Sequence, residues 1–215
     1  MQKAIAETME SGASTPDRIL QAAELLFSER GIGDVRLREI TTAAGVNSAA
    51  AHYHFGSKEA VLEELFARRA RPIAERREQL LSQLKLNRQD RPVLEDVLRA
   101  FLQPALDLLN SPEGVAFTRL RARMVFESEQ VRSKLLGKAF DRSNAMMLEA
   151  LAKALPELPP TDLYWRFHFM LASMVYTMAR PGRIESLTKG DIDTYDPKAA
   201  LEQMVRFVAA GFRAP

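Results

Sequence analysis

Apolar residues in the first part of the chain recur every three to four positions, which is the spacing of an α-helix with one buried face. The first such stripe lies between Pro16 and Gly31 and comprises Ile19, Ala22, Ala23, Leu26 and Phe27. Thr15 is the expected N-cap, and Pro16 the expected first helical residue. Residues 1–14 are polar and have no sustained period, so we expect them to form a flexible arm.

The stretch from Leu37 to Lys58 predicts two short helices joined by a tight turn. The first helix has an apolar face made of Leu37, Ile40, Thr41 and Ala44. Gly45 supplies a permissive backbone at its end, and Asn47 is a good N-cap for the second helix, residues 48–54. That second helix carries three alanines and a few polar groups, so its backbone can lie close to a macromolecular surface. This is typical of a helix-turn-helix that enters the DNA major groove, although a plain helical hairpin has the same periodicity.

The remaining chain also predicts helices. A fourth helix starts after Ser57, and Pro72 should kink or break it near Arg71, either as a passive bend or as a point that transmits motion. Five more helices follow beyond Arg91, with a long surface loop expected at residues 183–196. No strand pattern or internal repeat is evident, so we predict an all-α fold of about nine helices.

Composition narrows the class of protein. The chain has 215 residues, 47% of them hydrophobic, which is enough for a sizeable core, and it has no cysteine. The absence of cysteine suits the reducing cytoplasm, where we expect this protein. No apolar run approaches the ~18 residues of a membrane span, and the N-terminus lacks a signal-peptide core, so we expect no membrane partner.

The charge of the chain says little about its binding partner. The net charge of +2 is too small to argue for nucleic acid by itself. A local cluster stands out, and it comprises Arg68, Arg69, Arg71, Arg76 and Arg77. The expected interpretation of this cluster is a solvated helix face.

The sequence offers no support for an enzyme. His52 and His54 lie on different faces of a short helix, so we do not expect them to bind one metal ion together. His168 lies among aromatic residues, and we expect it to be buried in the interior. We find no phosphate-cradling glycine loop, no GxSxG elbow and no HExxH helix. We therefore expect neither catalytic residues nor a metal or cofactor.

The stretch AGVNSAAAHYHFGSKEAVLEELF, residues 44–66, resembles the signature of the TetR family of bacterial transcriptional regulators. Its tyrosine–histidine–phenylalanine run and the following serine–lysine–glutamate carry the resemblance, which covers Thr15 to Phe66. The rest of the chain matches mainly in helical layout. The resemblance implies a helix-turn-helix DNA-binding domain at residues 15–67 and a larger helical-bundle domain for effector binding and dimerisation at residues 68–215.

The function implied is that of a homodimeric, ligand-responsive repressor, released from a palindromic DNA operator by a small apolar effector. One alternative is a TetR-like DNA-binding protein without a small-molecule inducer, and another is a helical interaction protein that does not bind DNA. Salt-dependent binding to a palindromic duplex would exclude the interaction protein that does not bind DNA. Release of that duplex by a ligand would distinguish the ligand-responsive repressor from the DNA-binding protein without an inducer.

Carried over residue by residue, the DNA contacts of the family fall on Arg36, Asn47, Ser48, Ala49, His52, Tyr53, His54 and Lys58. The residues expected at phosphates are Tyr53, His54 and Lys58, and those expected at base edges are Asn47, Ser48 and His52.

The sequence departs from the common family pattern at three of these positions. Ala49 stands where glycine is frequent, and His52 stands where tyrosine is frequent, which puts the operator sequence in doubt. Arg36 stands where a small hydroxyl residue usually caps the helix. Either Asp34 caps that helix instead, or Arg36 contacts a phosphate.

The C-terminal helices are rich in methionine and aromatic residues, which suit either ordinary core filling or a pocket for apolar ligands. The family places its effector pocket here, so the candidate lining is Phe101, Phe117, Met124, Met147, Tyr164, Phe167, His168 and Met174. Basic groups that could hold a polar head are Arg119, Arg121, Arg123 and Arg166. The stretch FHFMLASMVYTMARPGRIESLTKGD, residues 167–191, is similar to a subgroup that senses fatty acids or acyl-CoA thioesters.

The last two predicted helices carry more apolar surface than one side needs. We therefore expect two copies of the chain to pair them in a four-helix interface. The expected interface residues are Leu163, Met170, Met178, Leu201, Met204, Val205 and Val208.

Overall fold

The structure, a computed structural model, describes residues 13–215, so most of the arm predicted for residues 1–14 lies outside the described part. The α-helices are α1 (Thr15–Arg30), α2 (Leu37–Ala43), α3 (Ser48–His54), α4 (Lys58–Ser82), α5 (Leu94–Leu106), α6 (Pro112–Arg123), α7 (Glu129–Arg132), α8 (Lys138–Ala154), α9 (Pro160–Ala179), α10 (Arg183–Leu187) and α11 (Pro197–Arg213). Short 3-10 helices follow α5 and α6, at Asp107–Asn110 and Met124–Phe126, and a π-helix at Ser133–Gly137 joins α7 to α8. The all-α prediction is confirmed.

Local capping explains where the first helices begin. Ser14, one residue earlier than predicted, is the N-cap of α1, and its hydroxyl accepts a hydrogen bond from the Asp17 N–H. Arg36 lies at the N-cap of α2, but a guanidinium has no acceptor. The Glu39 carboxylate accepts the Arg36 N–H at 2.9 Å instead, so the suggestion that Asp34 caps this helix is wrong.

The turn between α2 and α3 is held by a side chain from α1. Gly45 adopts a left-handed backbone with φ of +62°. Nη2 of Arg18 donates to the carbonyl oxygens of Ala44 at 2.6 Å and of Gly45 at 3.0 Å. A Cβ added to Gly45 would lie 2.8 Å from that same nitrogen, so the turn depends on glycine both for its backbone and for space.

Substituting Gly45→Ala should therefore lower the free energy of unfolding by about 1–2 kcal/mol, the usual cost of a left-handed L-residue. Urea unfolding followed by helical circular dichroism measures this. Gly33→Ala is the control, because no atom lies within 4 Å of its added Cβ and its backbone is ordinary. Equal stability of the two variants would contradict the assigned role of this turn.

Helix α4 connects the first three helices to the rest of the protein. It runs from Lys58 to Ser82 as one helix, so of the kink or break predicted near Arg71, the break is wrong. Pro72 lies on the exposed side, and burial of the neighbouring Ile73 and Ala74 keeps the helix in place despite the missing N–H. The domain boundary expected after residue 67 therefore falls inside one continuous helix.

The larger bundle is built around α4, α5, α6, α8, α9 and α11. Helix α4 packs against α1, α5 and α8, while α9 packs against α6, α8 and α11. The surface excursion at residues 183–196 is more ordered than predicted, because it contains α10. Arg180 also anchors it by donating to Leu109 O at 3.2 Å and to Tyr195 O at 2.8 Å.

Candidate nucleic-acid interface and effector region

Helix α3 presents its polar residues outward. Of its seven residues only Ala51 is buried, and the residues Asn47, Ser48, Ala49, His52, Tyr53 and His54 are all exposed. Tyr53 is 86% exposed, far more than a tyrosine serving the protein's own core. The structure thus brings six of the eight predicted DNA-contact residues together on one short helix and its cap.

Local hydrogen bonds orient this surface. The side-chain oxygen of Asn47 accepts the Ala49 N–H at 3.0 Å, so its amide NH₂ remains available as a donor. Nδ1 of His52 lies 3.0 Å from the Gly56 carbonyl oxygen. Because a carbonyl can only accept, Nδ1 is the donor there and Nε2 is left to face a ligand. Helix α3 thus carries outward hydrogen-bonding groups on a fixed backbone.

The other two predicted DNA-contact residues lie beside α3. Arg36 is exposed at the start of α2. Lys58 is half-buried, and its Nζ donates to Ile32 O at 2.8 Å, so one of its three donors is already occupied. Two donors of Lys58 remain for a phosphate.

Two contacts fasten α1 to the larger bundle. The Glu24 carboxylate of α1 accepts hydrogen bonds from Nε and Nη2 of Arg69 on α4, at 2.8 and 2.5 Å. Arg123 of α6 donates to the carbonyl oxygens of Ser28 and Glu29 at the end of α1, at 3.1 and 2.8 Å. These contacts join α4 and α6 to α1, the helix on which α2 and α3 pack.

The predicted effector residues divide into a buried group, in which the rings of Phe101 and Phe167 lie 5.9 Å apart, and an exposed pair. Buried in the core are Phe101, Phe117, Met124, Met147, Phe167 and Met174, but Tyr164 and His168 are exposed on α9. The prediction of an interior His168 is therefore wrong, because the turn of α9 that carries it points to solvent.

The basic residues predicted to hold an effector head are also mostly engaged elsewhere. Arg123 binds the end of α1, as described, and Arg166 donates to the Phe212 and Ala214 carbonyls at the end of α11. Arg119 is exposed. Of these four arginines, Arg121 alone is buried within the bundle.

Sequence reasoning missed the burial of Arg77. This residue of α4 is fully buried, whereas the predicted arginine cluster was expected to be a solvated face. Burial, and secondarily the charge of Arg121, lower the pKa of Arg77, and burial lowers the pKa of Arg121 to about 10. The signal was present in the sequence, since Arg77 continues the inward stripe of Phe66, Ala70 and Ile73 at helical spacing.

A cleft of about 310 Å³ opens between α4 and the segment formed by the π-helix and α8. Its apolar floor includes Phe66, Ala74, Leu135 and Ala139, and its charged rim includes Arg71, Glu75, Glu78, Lys134, Lys138 and Arg142. None of the eight predicted effector residues lines it. No cluster of metal-ligating residues occurs within residues 13–215.

The predicted dimer residues lie inside one protomer. Leu163, Met170, Met178, Met204, Val205 and Val208 are buried, and Leu201 is half-buried. The six buried residues are covered by the protomer's own helices and offer no surface to a second copy, so their assignment to the dimer interface requires correction. The outward side of α9 carries instead a stripe of Trp165, Phe169, Ala172 and Tyr176, here termed the outer stripe. The rings of Trp165 and Phe169 stack at 5.7 Å.

No helix within the described range is both long and apolar enough to cross a bilayer.

The family description "Bacterial regulatory proteins, tetR family" matches residues 19–65, and "Tetracyclin repressor-like, C-terminal domain" matches residues 99–211. The HTH-type transcriptional repressor BepR of Brucella suis biovar 1 (strain 1330) is 30% identical over 147 residues, which cover 67% of this chain and 65% of BepR. The match therefore spans just under two thirds of that relative.

Two solved structures share the fold. The fatty acid degradation regulator FadR from Bacillus halodurans superposes with a TM-score of 0.65 at 17% identity, covering 96% of this chain and 100% of that one. FadR from Bacillus subtilis, solved in complex with stearoyl-CoA, superposes with a TM-score of 0.58 at 17% identity, covering 90% of this chain and 97% of that one. At these identities the likeness concerns the fold alone.

Proposed function

Because this chain belongs to the TetR family of bacterial regulatory proteins, we propose that it is a homodimeric repressor that leaves its DNA operator when a small apolar effector binds. The observation that carries this proposal is the exposed surface of α3, where polar side chains project from a helix too poor in bulk to serve a core. As a DNA-binding regulator it would act in the cytoplasm, and it would not be an enzyme.

The outward groups of α3 suit the two kinds of contact that DNA offers. Asn47, Ser48 and His52 lie at the start and middle of the helix and carry donors and acceptors for base edges. Tyr53 and His54, at its end, and Lys58, at the start of α4, suit the phosphate backbone. Arg36 adds an exposed cation beside them. Ala49 permits close approach of the helix to the groove.

A second copy of the chain would cover the outer stripe. The exposed residues Trp165, Phe169, Ala172 and Tyr176 fall three or four positions apart, the spacing of a helix that packs on another helix. The neighbouring helix α11 exposes Phe207 beside the small residue Ala210. Pairing of α9 and α11 with their copies would hide these aromatic rings from water and set two α3 helices for successive major grooves.

The direct test is selection of genomic fragments by the purified protein, followed by binding to the selected duplex across a salt series. We expect retention of a palindromic fragment, with affinity that falls steeply as salt rises. Fatty acids and acyl-CoA thioesters are then added to the complex, and we expect release of the fragment by one of these classes. Failure to retain any fragment over random DNA would contradict the proposed function.

Tyr53→Ala should weaken operator binding without changing the melting temperature. A neutral hydrogen bond to phosphate contributes about 0.5–1.5 kcal/mol, and a dimer makes it twice, so affinity should fall about 5- to 150-fold. Tyr53→Phe separates the contribution of the hydroxyl to DNA affinity from that of the ring, because it removes only the hydroxyl. Titration of the selected duplex measures both variants, and unchanged affinity in a folded Tyr53→Ala dimer would rule out this contact.

A further inference from the structure

Two guanidinium groups lie in the interior of the larger bundle, Arg77 on α4 and Arg121 on α6. Arg77 Nε donates to Phe101 O at 2.8 Å, and its Nη2 lies 3.5 Å from the Met174 sulfur. The Phe140 ring is shared between them, 5.5 Å from the Arg77 guanidinium carbon and 4.7 Å from that of Arg121. We call these two residues the arginine pair.

The arginine pair lacks a counter-charge. Nη1 of Arg77 and Nη1 of Arg121 are buried, and neither has a hydrogen-bond partner among residues 13–215. Besides burial, the charge of Arg121, which has the same sign, lowers the pKa of Arg77. Arginine keeps its proton in proteins, so both groups are cations at neutral pH. Two adjacent buried cations without an anion are unfavourable unless a ligand supplies the missing charge.

We propose that the arginine pair binds the carboxylate head of an amphiphilic effector whose apolar body occupies the cleft between α4 and α8. This inference rests on the proposed function, in which an effector controls DNA binding, and it assigns that effector a chemical class. A carboxylate accepts two hydrogen bonds from a guanidinium fork, and it would pair the free Nη1 groups of both arginines at once.

The cleft and the arginine pair share walls. Ala74 lines the cleft and lies one turn before Arg77 on α4. Phe66 also lines the cleft, and its ring contacts that of Phe117 at 5.3 Å, one turn before Arg121 on α6. On the opposite wall Ala139 faces the cleft, and the next residue along α8 is Phe140, whose ring both arginines contact. A modest displacement of this wall would join the cleft to the arginine pair.

The wall that must move contains the π-helix at Ser133–Gly137. Such segments have a wider turn than an α-helix and occur frequently at functional sites. Leu135 of this segment is buried and lines the cleft at the same time. The π-helix therefore lies where entry of a ligand requires a local rearrangement.

The surroundings select for a carboxylate on an apolar body. Around the guanidinium groups lie Phe101, Phe140 and Met174, which cannot satisfy the hydroxyl groups of a sugar. A thioester carbonyl is neutral and would leave both cations unpaired. The volume of about 310 Å³ is at the small end for ligand sites, so it fits a medium-length acid better than an entire coenzyme thioester.

Binding at the arginine pair would also reach the DNA-binding helices. Arg77 lies two turns beyond Arg69 on α4, and Arg69 holds Glu24 of α1. Arg121 lies two residues before Arg123 on α6, and Arg123 holds the end of α1. An anion that draws the two arginines together would therefore bias the position of α1 relative to its partner copy.

The test compares decanoate with decanol, which has the same chain but no charge, by calorimetry and by thermal shift at pH 7.5. The wild-type protein should bind decanoate at least tenfold more tightly than decanol. Arg121→Met and Arg77→Met should lose this preference while the ligand-free melting temperature stays the same or rises, because each removes a buried unpaired charge. Arg119→Met, an exposed arginine of the same helix, should keep the preference.

The proposal would be overturned if the wild-type protein binds the two compounds equally or binds neither. It would also be overturned if the preference for decanoate persists in Arg121→Met or is lost in Arg119→Met. If one of the two methionine variants fails to fold, the other decides, because removal of either arginine should abolish the preference. Retention of the genomically selected duplex is measured in the same preparations without ligand. Retention with no carboxylate preference would reject the arginine-pair site and leave the proposed repressor function intact, whereas loss of retention would reject that function.

Discussion

Replacing Trp165 with aspartate is expected to convert the dimer into a folded monomer and to reduce operator affinity at least 100-fold. Trp165 is 57% exposed in the protomer and stacks on Phe169 within the outer stripe, so the substitution touches little of the protomer's own core. In a symmetric dimer the change occurs twice, and each tryptophan at the centre of an interface contributes about 2 kcal/mol or more. The combined loss of about 4 kcal/mol corresponds to roughly a thousandfold weaker dimer.

Sedimentation velocity at micromolar concentration measures the assembly, and titration of the selected duplex measures the affinity. Phe126→Asp is the matched control, because Phe126 is an aromatic residue that is 91% exposed but lies on a different segment. We expect this control to remain dimeric. A Trp165→Asp protein that still sediments as a dimer would show that the outer stripe is not the interface.

Arg69→Met is expected to lower the free energy of unfolding by about 3–5 kcal/mol at neutral pH, the usual effect of leaving a buried charge without its partner. Glu24 is only 2% exposed, and Arg69 supplies the hydrogen bonds that compensate its charge. Arg68→Met is the control at the adjacent position. Arg68 pairs with Asp17 and Glu64 near the surface, where such pairs contribute about 0–1 kcal/mol.

The destabilisation should depend on pH. Burial already raises the pKa of Glu24, against the opposing effect of Arg69, and removal of Arg69 should raise it further. A carboxyl whose pKa is higher in the folded protein binds more protons there, so stability falls as pH rises through that pKa. The deficit of Arg69→Met should therefore be largest at pH 7.5 and smaller near pH 5. Urea unfolding at both values measures this, and equal deficits in the Arg68 and Arg69 variants would contradict the assigned role.

Helical periodicity predicted most of the fold because each helix buries one stripe, and turn residues such as Gly45 and the cap Asn47 mark the ends. The surface of α3 was predictable for a related reason, since a helix with three alanines has little to bury. Pro72 misled the prediction, because packing on both sides of α4 outweighs the loss of one backbone hydrogen bond.

The proposed dimer face could not be predicted from apolar content. Helix α9 has two apolar stripes, one led by Leu163 and Phe167 and the other by Trp165 and Phe169, and periodicity does not say which one the protomer buries. The interface was therefore predicted on the stripe that the protomer itself buries. Arg77 was missed for a different reason, because arginine is usually solvated and only its place on the inward stripe of α4 indicated otherwise.

The proposal that a dimer binds DNA through α3 is tested most directly by a hydroxyl-radical footprint of the wild-type protein on its genomically selected duplex, with the mass of the complex measured in parallel. We expect two protected segments related by a dyad, about 34–36 Å apart or a multiple of this, bound by two protomers. The same footprint should fade in Tyr53→Ala at equal protein concentration. The proposal would be contradicted by a single protected segment bound by one protomer. It would also be contradicted by a footprint that is unchanged when the surface of α3 is altered.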